Sequence, residues 1–366
     1  MNGPEQPSVN DFTMEIKHIY WFAYFNEDEP SVRYRAKYPL EQLQKEYNIN
    51  FSIVYPGYDI HSILNFIFVF FSALFLRRAN SVIVFQKIYT RGVYTTALKI
   101  LLFFRNQNTL YDIDDAEYTR YPDDVMRYFM KGCTACSAGS QSLIDYISEI
   151  NENVFLLTSP VIDHGREKIM QEAIMTIGWI GYYGAHRDNL IKLFFPAVSR
   201  IDFPVKVKLL GVKNEAEEME IRAYFRDKPN VVIETPKEID WHNEHSIYDI
   251  ISTFDVGVAP LLDTEFNRAK SAFKLKQCLS CGVPVLGSRV GENMRFIRDG
   301  ANGNFCDSED EYYDRLVGIK QLSTENYRRL SANAKETFDE FSMDHYCDTL
   351  LYHFKSKTIP QAKLAL

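Results

Sequence analysis

Short apolar runs alternate with stretches of helical periodicity along almost all of this 366-residue chain, and few architectures accommodate that pattern. Strand-like runs occupy 16–25, 50–55, 81–86, 109–113, 132–137 and 153–157, with helical stretches between them at 33–47, 60–77, 92–104, 124–131 and 141–150. Parallel strands need crossovers, usually helices, and those helices cover the sheet on both faces. The first half therefore predicts one doubly wound sheet. A polar stretch at 161–172 interrupts the alternation. It restarts with strands at 175–181, 205–210, 231–234, 255–260 and 283–286 and helices at 187–200, 215–226, 246–253 and 273–281. Two terminal helical stretches, 325–338 and 344–355, have no strand after them.

The expected fold is α/β: two Rossmann-like domains, 1–165 and 166–340, facing each other across a cleft, with 341–366 returning to the first domain. At about 150 residues per domain the length agrees. Ligands in open α/β sheets sit beyond the carboxyl ends of the strands, so the residues just after strands are the ones to weigh.

Lys and Arg number 41 against 49 Asp and Glu, a net charge of −8, which argues against nucleic acid as a partner. The charge is uneven. Residues 60–111 contain no Asp or Glu but carry Arg77, Arg78, Lys87, Arg91, Lys99 and Arg105. The run 63–76 is strongly apolar yet shorter than the roughly 20 residues a membrane span needs. It reads either as a helix buried against a sheet or as a monotopic element whose apolar face dips into a bilayer while Arg77 and Arg78 meet headgroups. Residues 1–17 lack the basic start and apolar core of a signal peptide, and six cysteines suit a reducing compartment. These features predict a cytoplasmic protein, peripheral at the inner face of the plasma membrane, with 60–111 as the membrane-facing surface.

Beyond the strand at 255–260, Lys270, Lys274 and Gln277 are spaced i, i+4, i+7 and share one face if a helix begins by Lys270. Lysines at a helix N-terminus oppose the macrodipole unless an anion compensates, which suggests phosphate; a solvated lysine face is the alternative. The glycine-bracketed turn from Gly181 through Tyr182 to Gly184, with His186 and Arg187 opening the next helix, offers further N–H donors. Asp114 and Asp115 follow a strand, where they either assist an acceptor hydroxyl or cap a helix and solvate a loop. Arg33 and Arg35 follow the first strand and suit an acceptor carrying phosphate, or are ordinary solvated arginines. Asp112 and Asp114 make a short carboxylate motif that weakly suggests a divalent metal. The pairs Cys133/Cys136 and Cys278/Cys281 read as small buried thiols rather than a zinc site.

The segment Lys270-Ser-Ala-Phe-Lys-Leu-Lys-Gln-Cys-Leu-Ser-Cys-Gly-Val-Pro-Val285, followed by Gly287-Ser-Arg-Val-Gly-Glu-Asn293, resembles the donor-site signature of GT-B glycosyltransferases of family 4. Pro30-Ser-Val-Arg-Tyr-Arg35, Tyr111-Asp-Ile-Asp-Asp115, Ile177-Gly-Trp-Ile-Gly181 and Asp299-Gly-Ala-Asn-Gly303 resemble other segments of the group. Many members carry two glutamates with seven residues between them; here those positions are Ala269 and Gln277, with Glu265 and Asn267 nearby as substitutes.

The resemblance implies transfer of a sugar from a nucleotide-diphosphate sugar to a glycan or lipid-linked glycan acceptor, with retention. Lys270 and Lys274 would stabilise the departing diphosphate, with Gly181, Tyr182, Arg187, Glu265, Ser271 and Gln277 around the donor. Two lysines supply the charge, so no metal or other cofactor is expected. A nucleotide-sugar 2-epimerase of the same fold and a non-catalytic nucleotide-sugar binder, kept open by Ala269, are the alternatives.

Overall fold

The computed structural model describes residues 16–76, 80–163, 165, 168 and 174–356. Arg77, Arg78 and much of the polar stretch 161–172 lie outside the described residues. The chain divides into two compact units. One runs to Gly139 and includes Leu143–Ser159 and the chain from Asp344; the other holds Ser140–Ser142 and Pro160–Met343.

The first unit contains β1 (His18–Ala23), β2 (Asn50–Val54), β3 (Ser81–Gln86), β4 (Thr109–Ile113), β5 (Ala135–Ala138) and β6 (Val154–Leu156). They form one parallel sheet in the order β2-β1-β3-β4-β5-β6. Strands β3, β4 and β5 are buried along their whole length, as parallel strands covered on both faces must be. Polar groups at this core are matched: Trp21 Nε1 donates to Gln86 Oε1 at 3.0 Å, and Gln86 Nε2 donates to the Ser31 carbonyl at 3.0 Å. The order reverses at β1, so the switch point lies between β1 and β3.

Helix starts earlier than expected in the first connection. The chain is already helical over Pro30–Val32, with proline at the favoured first position, and continues through a π-turn at Arg33–Lys37 into Tyr38–Tyr47. Arg33 and Arg35 thus lie within the helix rather than at its start.

The second unit contains β7 (Met175–Ile180), β8 (Val205–Leu210), β9 (Val231–Glu234), β10 (Val256–Ala259), β11 (Val285–Gly287) and β12 (Gly303–Phe305), ordered β12-β11-β10-β7-β8-β9 and parallel throughout. Trp179, Phe194, Phe195, Val207 and Tyr312 sit in its core. The edge strand β12 and the helix Glu309–Lys320, capped by Ser308, were not anticipated. The helix Thr324–Glu336 stays with this unit through Tyr327 Oη, which donates to the Asp255 carbonyl at 2.7 Å. The helix Met343–Ser356 runs with the first unit, where Tyr346 Oη donates to the Arg35 carbonyl at 2.9 Å. Among the described residues no helix is long and apolar enough to cross a membrane.

Candidate functional site

In the second unit the chain order reverses around β7, with β8 on one side and β10 on the other. Beyond the carboxyl ends of these strands two backbones nearly touch. Gly181 N donates to the Leu210 carbonyl at 2.8 Å and Tyr183 N to the Gly211 carbonyl at 3.1 Å. A Cβ on Gly211, whose φ is +104°, would stand 1.9 Å from the Gly181 oxygen, so only glycine fits there. Gly181 in turn leaves room for a lysine: a Cβ on it would lie 2.4 Å from Lys274 Nζ. That ammonium also sits over the Trp179 ring, 5.0 Å from its centroid. The fold thus brings Gly181 and Lys274 together at the switch point.

Lys270 is placed differently from the expectation. A short helix Glu265–Arg268, capped by Thr264, ends before it, and Ala272 adopts a left-handed conformation at φ +54° before the helix Phe273–Ser280 begins. That break removes the common helical face with Lys274 and Gln277. Lys270 Nζ lies instead over the Phe266 ring at 4.1 Å. The loop is braced by Gly291, the second glycine of the 287–293 segment: a Cβ there would come within 2.8 Å of the Arg268 carbonyl and 3.0 Å of that of Asn267.

Ser271 and Gln277 are buried, Glu265 is exposed, and Ala269 is fully buried. Asn267 is buried and its side-chain amide is engaged within the loop. Its amide donates to the Leu262 carbonyl at 2.8 Å and to Asn189 Oδ1 at 3.3 Å, holding the loop.

Tyr182 is half-exposed and carries Lys213 Nζ over its ring at 4.2 Å. Lys213, just past β8, is a third cation at this edge; a strand followed by Gly211, Val212 and Lys213 was the available signal. Arg187 has a carboxylate partner. The helix begins at Tyr183, which turns Arg187 toward the helix Glu215–Tyr224, where Nε donates to both carboxylate oxygens of Glu220 at 2.8 and 3.0 Å. Its charge is already matched, and the Glu220 carboxyl is pulled below its ordinary range by that pairing. His186 lies edge-on to Trp179 and contacts Asn189 through Nδ1 at 3.1 Å.

In the first unit, Lys87 directly follows β3 in a left-handed conformation and is buried. Its ammonium lies 2.9 Å from Asp115, 3.1 Å from Asp114 and 3.6 Å from Glu117. Burial favours neutral lysine, but the three carboxylates outweigh it and hold the ammonium well above its ordinary pKa. Burial also raises the Glu117 carboxyl. Asp114 and Asp115 are therefore anchored on a cation rather than simply solvated. Phe25, Tyr24, Tyr89 and Tyr121 stand beside this cluster in a chain of ring contacts.

Arg35 and Arg33 are both buried and do not present themselves to an acceptor. Arg35 forms a two-point pair with Asp112 and donates to the Leu157 carbonyl at 2.6 Å, tying β4 to the chain after β6. Arg33 donates to the carbonyls of Glu27 and Asp28, each at 2.8 Å. Asp112 is spent on Arg35 and on Ser137 Oγ, while Asp114 turns to Lys87, so the two carboxylates of the proposed metal motif diverge. All six cysteines are free and buried, with the Cys278 thiol pushed up by burial.

The basic stretch is also reassigned in part. Arg91 pairs with Asp124 at 3.0 Å. Arg105 is buried, donating to the Ala73 carbonyl and to Ser81 Oγ. Lys87 and Arg105 therefore do not meet headgroups.

Neither a protein-family model nor a curated protein sequence matches the chain. Solved structures do match in shape. HepE of Anabaena, in complex with UDP, aligns at 12% identity and a TM-score of 0.62, covering 93% of this chain and 100% of that one. Sucrose-phosphate synthase of Thermosynechococcus elongatus aligns at 12% identity and a TM-score of 0.66, covering 93% and 98%. The lipopolysaccharide outer core galactosyltransferase WaaB aligns at 10% identity and a TM-score of 0.63, covering 93% and 99%. At such identities the likeness establishes the fold: two parallel α/β units of the GT-B type.

Proposed function

We propose that the protein is a glycosyltransferase, moving a sugar from a nucleotide-diphosphate sugar to a glycan acceptor in cell-surface polysaccharide or glycoconjugate synthesis. The observation that carries this reading is Lys274 seated against Gly181 at the β7 switch point, with Lys270 and Lys213 on neighbouring loops. Glycosyl transfer builds negative charge on the departing diphosphate, and fixed cations and N–H donors that meet that charge lower the barrier. Lysines supply the charge without a metal. The HepE structure holds UDP, and WaaB is named for transfer to a lipopolysaccharide, which supports a nucleotide-sugar donor and a glycan acceptor here.

On the acceptor side, Asp114 and Asp115, pinned by Lys87, are the groups to accept hydrogen bonds from a sugar hydroxyl, with retention of configuration. Because Arg33 and Arg35 are buried, the acceptor is recognised through hydroxyls and ring faces rather than phosphate. A lipid-linked acceptor at the cytoplasmic membrane face is supported by the apolar outer face of the helix Ile60–Phe75.

The test is nucleotide release over a panel of UDP-, GDP- and dTDP-sugars with membrane extract as acceptor, with and without chelator. The expected result is acceptor-dependent release that chelator leaves intact and Lys274→Ala abolishes. Release without any glycosylated product, or release that needs a divalent ion, overturns the reading.

A further inference from the structure

The helix Ile60–Phe75 has two apolar faces. Val69, Ala73 and Leu74 are buried, while Ile60, Ile63, Leu64, Ile67, Phe68, Phe71 and Phe75 form an exposed stripe on the other side, continued by Leu76. The next helix, Val93–Phe104, ends in Phe103 and Phe104, exposed by 73% and 60%. Arg105 joins the two helix ends: buried directly after Phe104, it donates to the carbonyl of Ala73 in the last turn of the first helix. The aromatic ends are held together by a residue of the acid-free basic stretch.

From these features we infer that the two helix ends form one aromatic wedge that enters the interfacial layer of a lipid bilayer, held by apolar insertion rather than by attraction to anionic headgroups. This rests on the membrane-face part of the proposed function. Three observations select a bilayer over a protein partner. The whole stretch 60–111 lacks Asp and Glu in a chain that has 49 of them, so nothing in it repels a headgroup layer. Arg77 and Arg78 directly follow the stripe in sequence, so the chain leaves it through two cationic residues. A helix with this apolar outer face and too short to span suits a position in the interfacial plane. Charge is the lesser term because Lys87 is buried among carboxylates and Arg105 is buried against the Ala73 carbonyl, which removes both from a headgroup layer.

The test is vesicle flotation with the full chain, using pure phosphatidylcholine and phosphatidylcholine containing phosphatidylglycerol. Each is measured at about 0.1 M and about 1 M salt, where the Debye length falls from about 10 Å to about 3 Å. Binding to pure phosphatidylcholine is expected, with less than about a threefold change between salts. The pairs Phe68→Ser/Phe71→Ser and Phe103→Ser/Phe104→Ser should each weaken it by about tenfold or more. Arg77→Ala/Arg78→Ala should matter only on anionic vesicles at low salt. Failure to bind phosphatidylcholine, or loss of anionic binding at high salt, overturns the inference. So does a dimer, seen by light scattering, that the phenylalanine variants dissociate, since the face would then seat a second copy. Unfolding melts confirm that each variant is folded. Turnover of a short water-soluble acceptor is measured alongside; its absence counts against glycosyl transfer and leaves the vesicle result standing.

Discussion

Lys87 and Asp115 meet at 2.9 Å inside the first unit, and the same ammonium holds Asp114 and Glu117, so one buried cation organises three carboxylates at the end of β3 and β4. Removing it leaves those carboxylates crowded and unmatched. Lys87→Met should cost about 3 kcal/mol at neutral pH, read by urea unfolding. The raised Lys87 pKa means the wild-type contribution is fully present below its ordinary value of 10.5 and fades only as pH rises through the higher folded value. The penalty of the variant should shrink on acidification into the carboxylate range, because protonated acids no longer need the cation. A penalty constant down to about pH 4 would falsify this account.

Arg35 and Asp112 form a fully buried pair. Arg35→Ala strands the Asp112 carboxylate in the core and should cost about 3–5 kcal/mol. The double variant Arg35→Met/Asp112→Leu, which removes both charges, should recover most of that loss in thermal and urea melts. An acceptor role for Arg35 would instead leave stability intact and raise the acceptor KM.

Lys274 is half-buried against Gly181 and Trp179. Lys274→Ala should lower turnover by about a hundredfold or more, as loss of a fixed donor to developing charge does elsewhere, while the melting temperature stays near that of the wild type. Equal loss of stability and activity would move Lys274 to a structural role.

The two glycines at the β7 edge should respond differently. Gly211→Ala drives a Cβ into backbone at a positive φ, and should cost about 1–3 kcal/mol or more in unfolding free energy. Gly181→Ala meets the flexible end of Lys274, so it should displace the ammonium and depress turnover more than stability. Steady-state kinetics beside denaturant melts separate the two.

Most of the strands were legible because parallel strands buried on both faces are written as continuous apolar runs. β3 and β4, buried along their length, begin and end where those runs do, and β8 and β9, which alternate in burial, also start and stop at the expected residues. β12 escaped because Gly-Asn-Phe at a sheet edge carries no such run, and the helix Glu309–Lys320 because its first turn is Glu-Asp-Glu. Lys270, Lys274 and the Gly181 turn were also visible, since strand ends mark where ligands bind. What local pattern left open was which charge meets which. Arg35 finds Asp112 and Lys87 finds Asp115 across 77 and 28 positions of chain, through crossovers that set their distance. The same holds for Ala272, whose left-handed turn separates Lys270 from Lys274. The sequence by itself determined two α/β units and a cationic strand edge, because periodicity and strand ends are local. Only the tertiary structure decided that Arg33, Arg35 and Arg105 are interior braces and that Lys87 is a carboxylate anchor. A charge's role depends on the partner and the burial that folding assigns to it.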